Sequence, residues 1–283
     1  MKTTIVIIST LLIAGVVSAQ PNVVYTDEDV VIFNKYISYI SDNPQPQELD
    51  DLLEKTATFF LNKPYVAHTL ETEGKERVII NLREFDCTTY IETVLALTQT
   101  VRSKEHTFNN FVNKLKTIRY RDGVVDGYSS RLHYFTDWLY DNEKGGMIEN
   151  ITTQTEGITE DKPINFMSTH RNAYSQLKID DSNLIEIIEV EKEINKRGGI
   201  SFIPKAKIDA INSKVPHMSI LAFVTSIKGL DVTHTGFAFQ KDGELTFIHA
   251  SSAKNKVIID SSTISEYCNN QKSCTGIILA KLL

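Results

Sequence analysis

The 283-residue chain has no run of basic residues, only three cysteines and, beyond residue 19, no apolar stretch long enough to cross a bilayer. The missing basic run argues against a nucleic-acid partner, because phosphate binding needs clustered Lys and Arg. The balance is instead acidic, 30 Lys and Arg against 36 Asp and Glu, for a net charge of −6. The missing apolar stretches predict no stable membrane span once the first segment is removed. No internal repeat or low-complexity tract interrupts the chain. The odd cysteine count leaves one thiol to be explained in an exported protein.

Export is expected from the first 19 residues. Lys2 precedes an apolar run over 5–17, and Val17-Ser18-Ala19 forms a small-residue cleavage site before Gln20. That is the pattern of a secretory signal peptide, so residues 1–19 are set aside and the protein is expected to be periplasmic or secreted. No cysteine lies at the cleavage site, which argues against a lipid anchor. Residues 20–283 suffice for a single catalytic domain with helical insertions around 103–200, and a monomer is expected. Hydrophobic residues make up 41% of the chain, enough for a sizeable core.

Apolar spacing predicts helices over 30–40, stopped by Asp42-Asn43-Pro44-Gln45-Pro46, and over 48–61. Further helices are expected over 90–102, 108–118, 131–140 and 184–196. Residues 20–31 read as an irregular lead-in, 78–82 as a short strand and 149–165 as a polar connector. The last third changes period, with strands expected at 219–225, 235–239, 245–249, 256–259 and 276–280. Helices first and antiparallel strands afterwards argue for an α+β fold.

Cys268 and Cys274 are close enough in sequence to close a small loop in an oxidising compartment, as a candidate disulfide. Cys87 is then the unpaired thiol. It sits in Phe85-Asp86-Cys87-Thr88-Thr89-Tyr90, ahead of a buried helix, with Asp86 as candidate N-cap. A helix N-terminus and a nearby imidazolium would lower its pKa and favour the nucleophilic thiolate. The bland alternative is a buried structural cysteine.

Two histidines lie downstream, His234 and His249. Lys241-Asp242-Gly243-Glu244 between apolar alternating segments is a hairpin signal. With Asp242-Gly243 as the turn, Lys241 pairs with Glu244, Gln240 with Leu245 and Gly236 with His249. His234 then shares a sheet face with His249 as its diagonal neighbour, with Gly236 leaving the space clear. An odd-numbered loop would put them on opposite faces. Zinc bound by Cys87, His234, His249 and a carboxylate is a further option, but no short-range ligand spacing supports it. No metal or cofactor is therefore expected.

Phe85-Asp86-Cys87-Thr88-Thr89-Tyr90-Ile91-Glu92, His234-Thr235-Gly236-Phe237-Ala238 and Phe247-Ile248-His249-Ala250-Ser251 together resemble the NlpC/P60 superfamily of papain-like cell-wall hydrolases. Within it the chain is most similar to the DUF1460, N-acetylmuramoyl-L-alanine amidase-like family. Residues 131–138, Phe166-Met167-Ser168 and Ile203-Pro204-Lys205 also resemble that family's blocks. The resemblance covers most of residues 30–283. In one departure, Pro216-His217-Met218-Ser219 stands where superfamily members often carry Gly-Asp.

The resemblance implies a papain-like fold with the nucleophile at a helix start packed on an antiparallel sheet. It implies Cys87 as nucleophile, His234 as general base and His249 as the group that orients His234. It also implies cleavage of the amide between N-acetylmuramic acid and L-alanine in peptidoglycan fragments. Arg131, His133, Tyr134 and Trp138 are candidate substrate contacts, an arginine suiting stem-peptide carboxylates and an aromatic a sugar face. Rival readings are an endopeptidase of the same fold, cutting between D-glutamate and the diamino acid, and a non-catalytic peptidoglycan-binding module.

Overall fold

The computed structural model describes residues 22–42, 48–72, 74–241 and 243–283. The signal segment 1–19, the helix stop at 43–46 and the Asp242 half of the hairpin turn lie outside them. The helices are α1 (Asp27–Asp42), α2 (Leu49–Phe59), α3 (Cys87–Arg102), α4 (Phe108–Arg119), α5 (Phe135–Lys144), α6 (Phe166–Thr169), α7 (Ser175–Ile179), α8 (Asp181–Lys196) and α9 (Ile264–Asn270). The strands are β1 (Val23–Val24), β2 (Val78–Ile79), β3 (Ile148–Asn150), β4 (Ile158–Glu160), β5 (Ile200–Pro204), β6 (Ile220–Thr225), β7 (Val232–Lys241), β8 (Glu244–Ser251), β9 (Lys256–Ile259) and β10 (Cys274–Leu282).

The main sheet runs β4-β5-β10-β6-β7-β8-β9, with β3 paired to the end of β10; every pairing in it is antiparallel. β1 and β2 form a separate parallel pair. The architecture is α+β. Among the described residues no helix is long and apolar enough to cross a membrane.

The central strands are apolar on both faces because both faces are covered. Ile220, Ala222 and Val224 of β6 join the core on the α3 side, with Phe237 and Ile248. Leu221 and Phe223 join a second core on the opposite face, with Phe247, Ile264 and Leu279. Their alternation is the period of a pleated strand. Helix α3 packs Ile91, Val94, Leu95 and Leu97, all fully buried, against its neighbours. Each is worth roughly 1.5–3 kcal/mol of apolar burial. Tyr90 reaches across to Phe237 of β7, ring centroids 6.1 Å apart, and its hydroxyl donates to Ala57 O. These contacts anchor the start of α3 to the sheet.

Three expectations need correction. The 149–165 stretch is not only connector: it carries the three-residue strands β3 and β4, whose partners are β10 and β5. The 131–140 helix begins only at Phe135, because Arg131 bridges Tyr120 and Leu132 N donates to Arg119 O, which holds the first residues extended. Within the 20–31 lead-in, the described residues 22–31 are not irregular: they carry β1 and the first turn of α1. Within Pro216-His217-Met218-Ser219, Met218 adopts φ 58°. It is held there by Met218 N donating to Ala238 O and Ser219 N to Pro216 O. A non-glycine residue takes that conformation only where such bonds compensate its strain.

Candidate active site

Asp86 and Thr89 begin the site with a capping box. Thr89 N donates to Asp86 Oδ1 at 2.7 Å, and Asp86 N donates to Thr89 Oγ1 at 2.9 Å. Such a cap is worth about 1 kcal/mol and sets where α3 starts. Cys87 is thereby the first helical residue. It is a free cysteine, half-buried as a residue.

The thiol environment differs from the expectation of a depressed pKa. Burial pushes the Cys87 thiol up, the Asp86 carboxylate adds to the shift, and Thr235 and Thr88 oppose it. The residue that caps the helix is anionic and adjacent, so it offsets what the helix terminus offers a thiolate. Thr235 Oγ1 lies close to the sulfur but is buried without a hydrogen bond of good geometry.

On the sheet, β7 and β8 adopt the register expected from the hairpin: Lys241 opposite Glu244, Gln240 opposite Leu245, Phe237 opposite Ile248. One step further, a Cβ on Gly236 would meet His249 Cβ at 3.0 Å and Ile248 O at 2.7 Å. His234 and His249 therefore face the same way, and His234 Nε2 lies 2.5 Å from His249 Nδ1. The rings are nearly perpendicular, at 87°. Where β6 meets the start of β7, Phe223 pairs with His234 and Val224 with Val232, so Thr233 bulges out. Bulges recur beside active sites because they re-aim the next side chain.

His249 Nε2 lies 3.1 Å from Asp260 Oδ2. A carboxylate accepts, so His249 carries its proton on Nε2 and presents a lone pair at Nδ1. His234 Nε2–H donates to that lone pair, which leaves His234 Nδ1 as the basic nitrogen. His234 is pushed down to about 3, chiefly by burial and then by His249, with Asp260 opposing. The Asp260 carboxyl is held below its ordinary range, first by the hydrogen bond from His249. The resting chain thus ends in a neutral His234 imidazole and is backed by an ionised Asp260 carboxylate.

Asp260 was not anticipated from the sequence. It lies one residue past β9, where Asp260 N donates to Phe247 O. The β8–β9 register pairs His249 with Ile258, so Asp260 falls on the same face as His249 and Phe247. That register was the available signal, since the 256–259 strand was anticipated but not aligned.

Cys87 and His234 border one pocket of about 130 Å³, together with Thr88, Ile91, Leu132, His133, Trp138, Asp231 and neighbouring residues. His133 and Trp138 are in its lining; Arg131 and Tyr134 are not. The indole Nε1 of buried Trp138 has no hydrogen-bond partner. His133 Nε2 donates to Tyr128 O at 2.8 Å, and burial pushes its pKa down to about 3. Arg131 is buried elsewhere, donating to Glu71 Oε1 at 2.8 Å and lying 3.5 Å from Glu76 Oε1. Tyr134 OH donates to Glu191 Oε1 at 2.7 Å and accepts from Met167 N at 2.8 Å. Of the four expected substrate contacts, the structure thus brings His133 and Trp138 to this pocket and places Arg131 and Tyr134 outside its lining, against Glu71 and Glu191.

Cys268 and Cys274 form a disulfide with Cα atoms 5.4 Å apart, joining α9 to the start of β10. Among the described residues no cluster of three or more His, Cys, Asp or Glu is arranged to hold a metal ion.

Comparison with solved structures finds an N-acetylmuramoyl-L-alanine amidase from Bacteroides uniformis, 36% identical, with a TM-score of 0.77, covering 82% of this chain and 99% of its own. A Bacteroides fragilis protein provisionally described as a xylanase is 34% identical, TM-score 0.75, covering 80% of this chain and 99% of its own. A Legionella pneumophila protein of the DUF1460 family shares the fold at 20% identity, TM-score 0.67, covering 90% of this chain and 94% of its own. A search of curated proteins found no significant match. The model of the AmiA-like family, described as N-acetylmuramoyl-L-alanine amidase-like, matches residues 55–277. On that match and these relatives, the chain belongs to the N-acetylmuramoyl-L-alanine amidase-like family.

Proposed function

We propose that the protein is a cysteine amidase of the papain-like NlpC/P60 type. It hydrolyses the N-acetylmuramoyl–L-alanine bond of peptidoglycan fragments, with Cys87 as nucleophile, His234 as base and His249 as its orienting partner. The observation that carries the reading is the hydrogen-bonded chain Asp260–His249–His234, whose last member borders the pocket that Cys87 also borders. The family name points to the amide rather than to a bond within the stem.

The chemistry is acyl transfer. His234 Nδ1 takes the Cys87 proton as the sulfur bonds to the lactyl carbonyl carbon, moving the carbonyl π electrons onto oxygen. N–H groups at the start of α3 outside the capping box stabilise that oxyanion. The C–N bond breaks, and the L-alanine nitrogen leaves with the proton from His234. Water, giving a proton to His234, then attacks the thioester carbon; the C–S bond breaks, the sulfur takes the proton back from His234, and the sugar acid leaves. The high thiol pKa and low imidazole pKa favour proton transfer during attack over a preformed ion pair. His249, held by Asp260, steadies the imidazolium that forms.

Glycoside hydrolysis, suggested by the xylanase description of one relative, needs two carboxyl groups across the cleft. The carboxylate in this pocket, Asp231, already accepts from Thr136 N and Oγ1 and from Val232 N. The signal-peptide pattern fits an exported enzyme, periplasmic or secreted, acting on its substrate as a monomer.

Digestion of defined muropeptides followed by mass spectrometry tests the proposal. An amidase releases a peptide with a free L-alanine amine and an intact sugar acid. A sugar still carrying L-Ala-D-Glu would replace the amidase reading with an endopeptidase, and turnover by Cys87→Ala would remove the mechanism.

A further inference from the structure

His234 is tethered through one hydrogen bond, from Nε2 to His249. A single bond leaves the imidazole free to turn about it, so packing must set the plane that aims Nδ1. Two of the packing rings come from the sheet. Phe223 lies 6.2 Å from the His234 ring at 28°, and Phe247 lies 6.3 Å away at 80°. The third is Tyr267, outside the sheet on α9. Its ring centroid is 5.8 Å from His234 and 6.0 Å from His249, and it also contacts Phe223 at 4.7 Å and Phe247 at 4.8 Å.

A helix of seven residues is marginal without tertiary support. Thr263 and Glu266 cap its start. Cys268, the residue after Tyr267, is fully buried and bridged to Cys274 at the head of β10. The disulfide is therefore placed to hold Tyr267 against the histidines. The Tyr267 phenol is pushed up to about 12 by burial, Asp260 and Cys87, and its contacts with the two histidines are made by the ring.

We infer that Tyr267 is a positioning residue, and that the Cys268–Cys274 bridge keeps its ring closed over His234 so that the base points one way. This rests on His234 being the base proposed above.

The test compares wild type with Tyr267→Phe, Tyr267→Leu, Tyr267→Ala, the double variant Cys268→Ser/Cys274→Ser, and that double variant with Tyr267→Ala. Activity on muropeptides is measured as kcat and KM across pH, with melting temperature recorded for each. Tyr267→Phe should stay near wild type. Tyr267→Ala should lose roughly 10- to 100-fold in kcat, the scale of a misplaced reacting group. Its KM should move by less than about 3-fold. Tyr267→Leu, which keeps apolar bulk without a flat ring, should lose activity in the same direction. The acid limb of the Tyr267→Ala profile should move to higher pH, because an exposed imidazole is easier to protonate. Loss of the bridge should lower kcat, and adding Tyr267→Ala should then cost little more, because both act on one ring.

Wild-type kcat and pH profile in Tyr267→Ala and Tyr267→Leu would overturn the inference. So would a Tyr267→Phe loss as large as that of Tyr267→Ala. Full additivity would overturn the part given to the bridge. An inactive wild type would instead remove the function proposed above, which separates the two failures.

Discussion

On the strand side of the pocket, His234 leans on His249, His249 on Asp260, and Asp260 also accepts from Ser262 N. On the helix side, the buried Trp138 indole N–H has no partner, and the Cys87 thiol is pushed toward its protonated form by burial and Asp86. Buried polar groups are usually paired, and those left unpaired in a cleft are where a ligand's own donors and acceptors can enter. Under the proposed function, the strand side is assembled before substrate arrives, whereas the helix side is completed by it. Substitutions on the first should act mainly on kcat, as should loss of the nucleophile, and those of the remaining lining residues on KM.

The largest expected effect tests whether the two sides work as one unit. Cys87→Ala and His234→Ala should each lower kcat by about 10⁴-fold or more, and combining them should add little, as groups acting together are non-additive. Mass spectrometry of timed muropeptide digests reads this. Next is Asp260→Asn, which keeps an acceptor but removes the charge behind His249. It should lower kcat by roughly 10- to 100-fold with KM nearly unchanged, less than the ~10⁴-fold seen where a carboxylate meets the base directly. Asp86→Asn probes the helix side. Asn caps as well as Asp, so the fold should hold, while removing the negative charge beside the sulfur favours the thiolate. Iodoacetamide alkylation of Cys87, followed across pH, should then rise at lower pH than in wild type; an unmoved curve would mean that Asp86 does not hold the thiol up. The smallest effect is Trp138→Phe, which deletes the unpartnered donor. One hydrogen bond to substrate, about 1 kcal/mol, corresponds to a KM increase of roughly 5-fold with kcat little changed. A kcat effect there would erase the contrast between the two sides.

The contrast also marks what was readable in the residues alone. The β7–β8 register followed from a two-residue turn and a period of two, so the meeting of His234 and His249 could be deduced. Asp260 could not, because β9 is only four residues long and the carboxylate comes from the position after it. The aromatic-rich run at 131–140 mixed two conformations. Its first residues are extended, which sends Arg131 to Glu71 and Glu76 and Tyr134 to Glu191, while His133 and Trp138 border the pocket. The thiol's protonation was misjudged for a related reason: helix-start geometry was visible as a pattern, but the balance between burial, the cap's charge and Thr235 exists only once the chain is packed.

Gly236 draws these threads to one place. A methyl group there would press within 2.7 Å of Ile248 O, so the two strands stand as close as bare backbone permits. The bond between the two imidazoles is short because an atom is missing between the strands that carry them. Any side chain at this position would have to pry the hairpin open, and the bond between the two imidazoles would be severed by distance alone, with both rings still present.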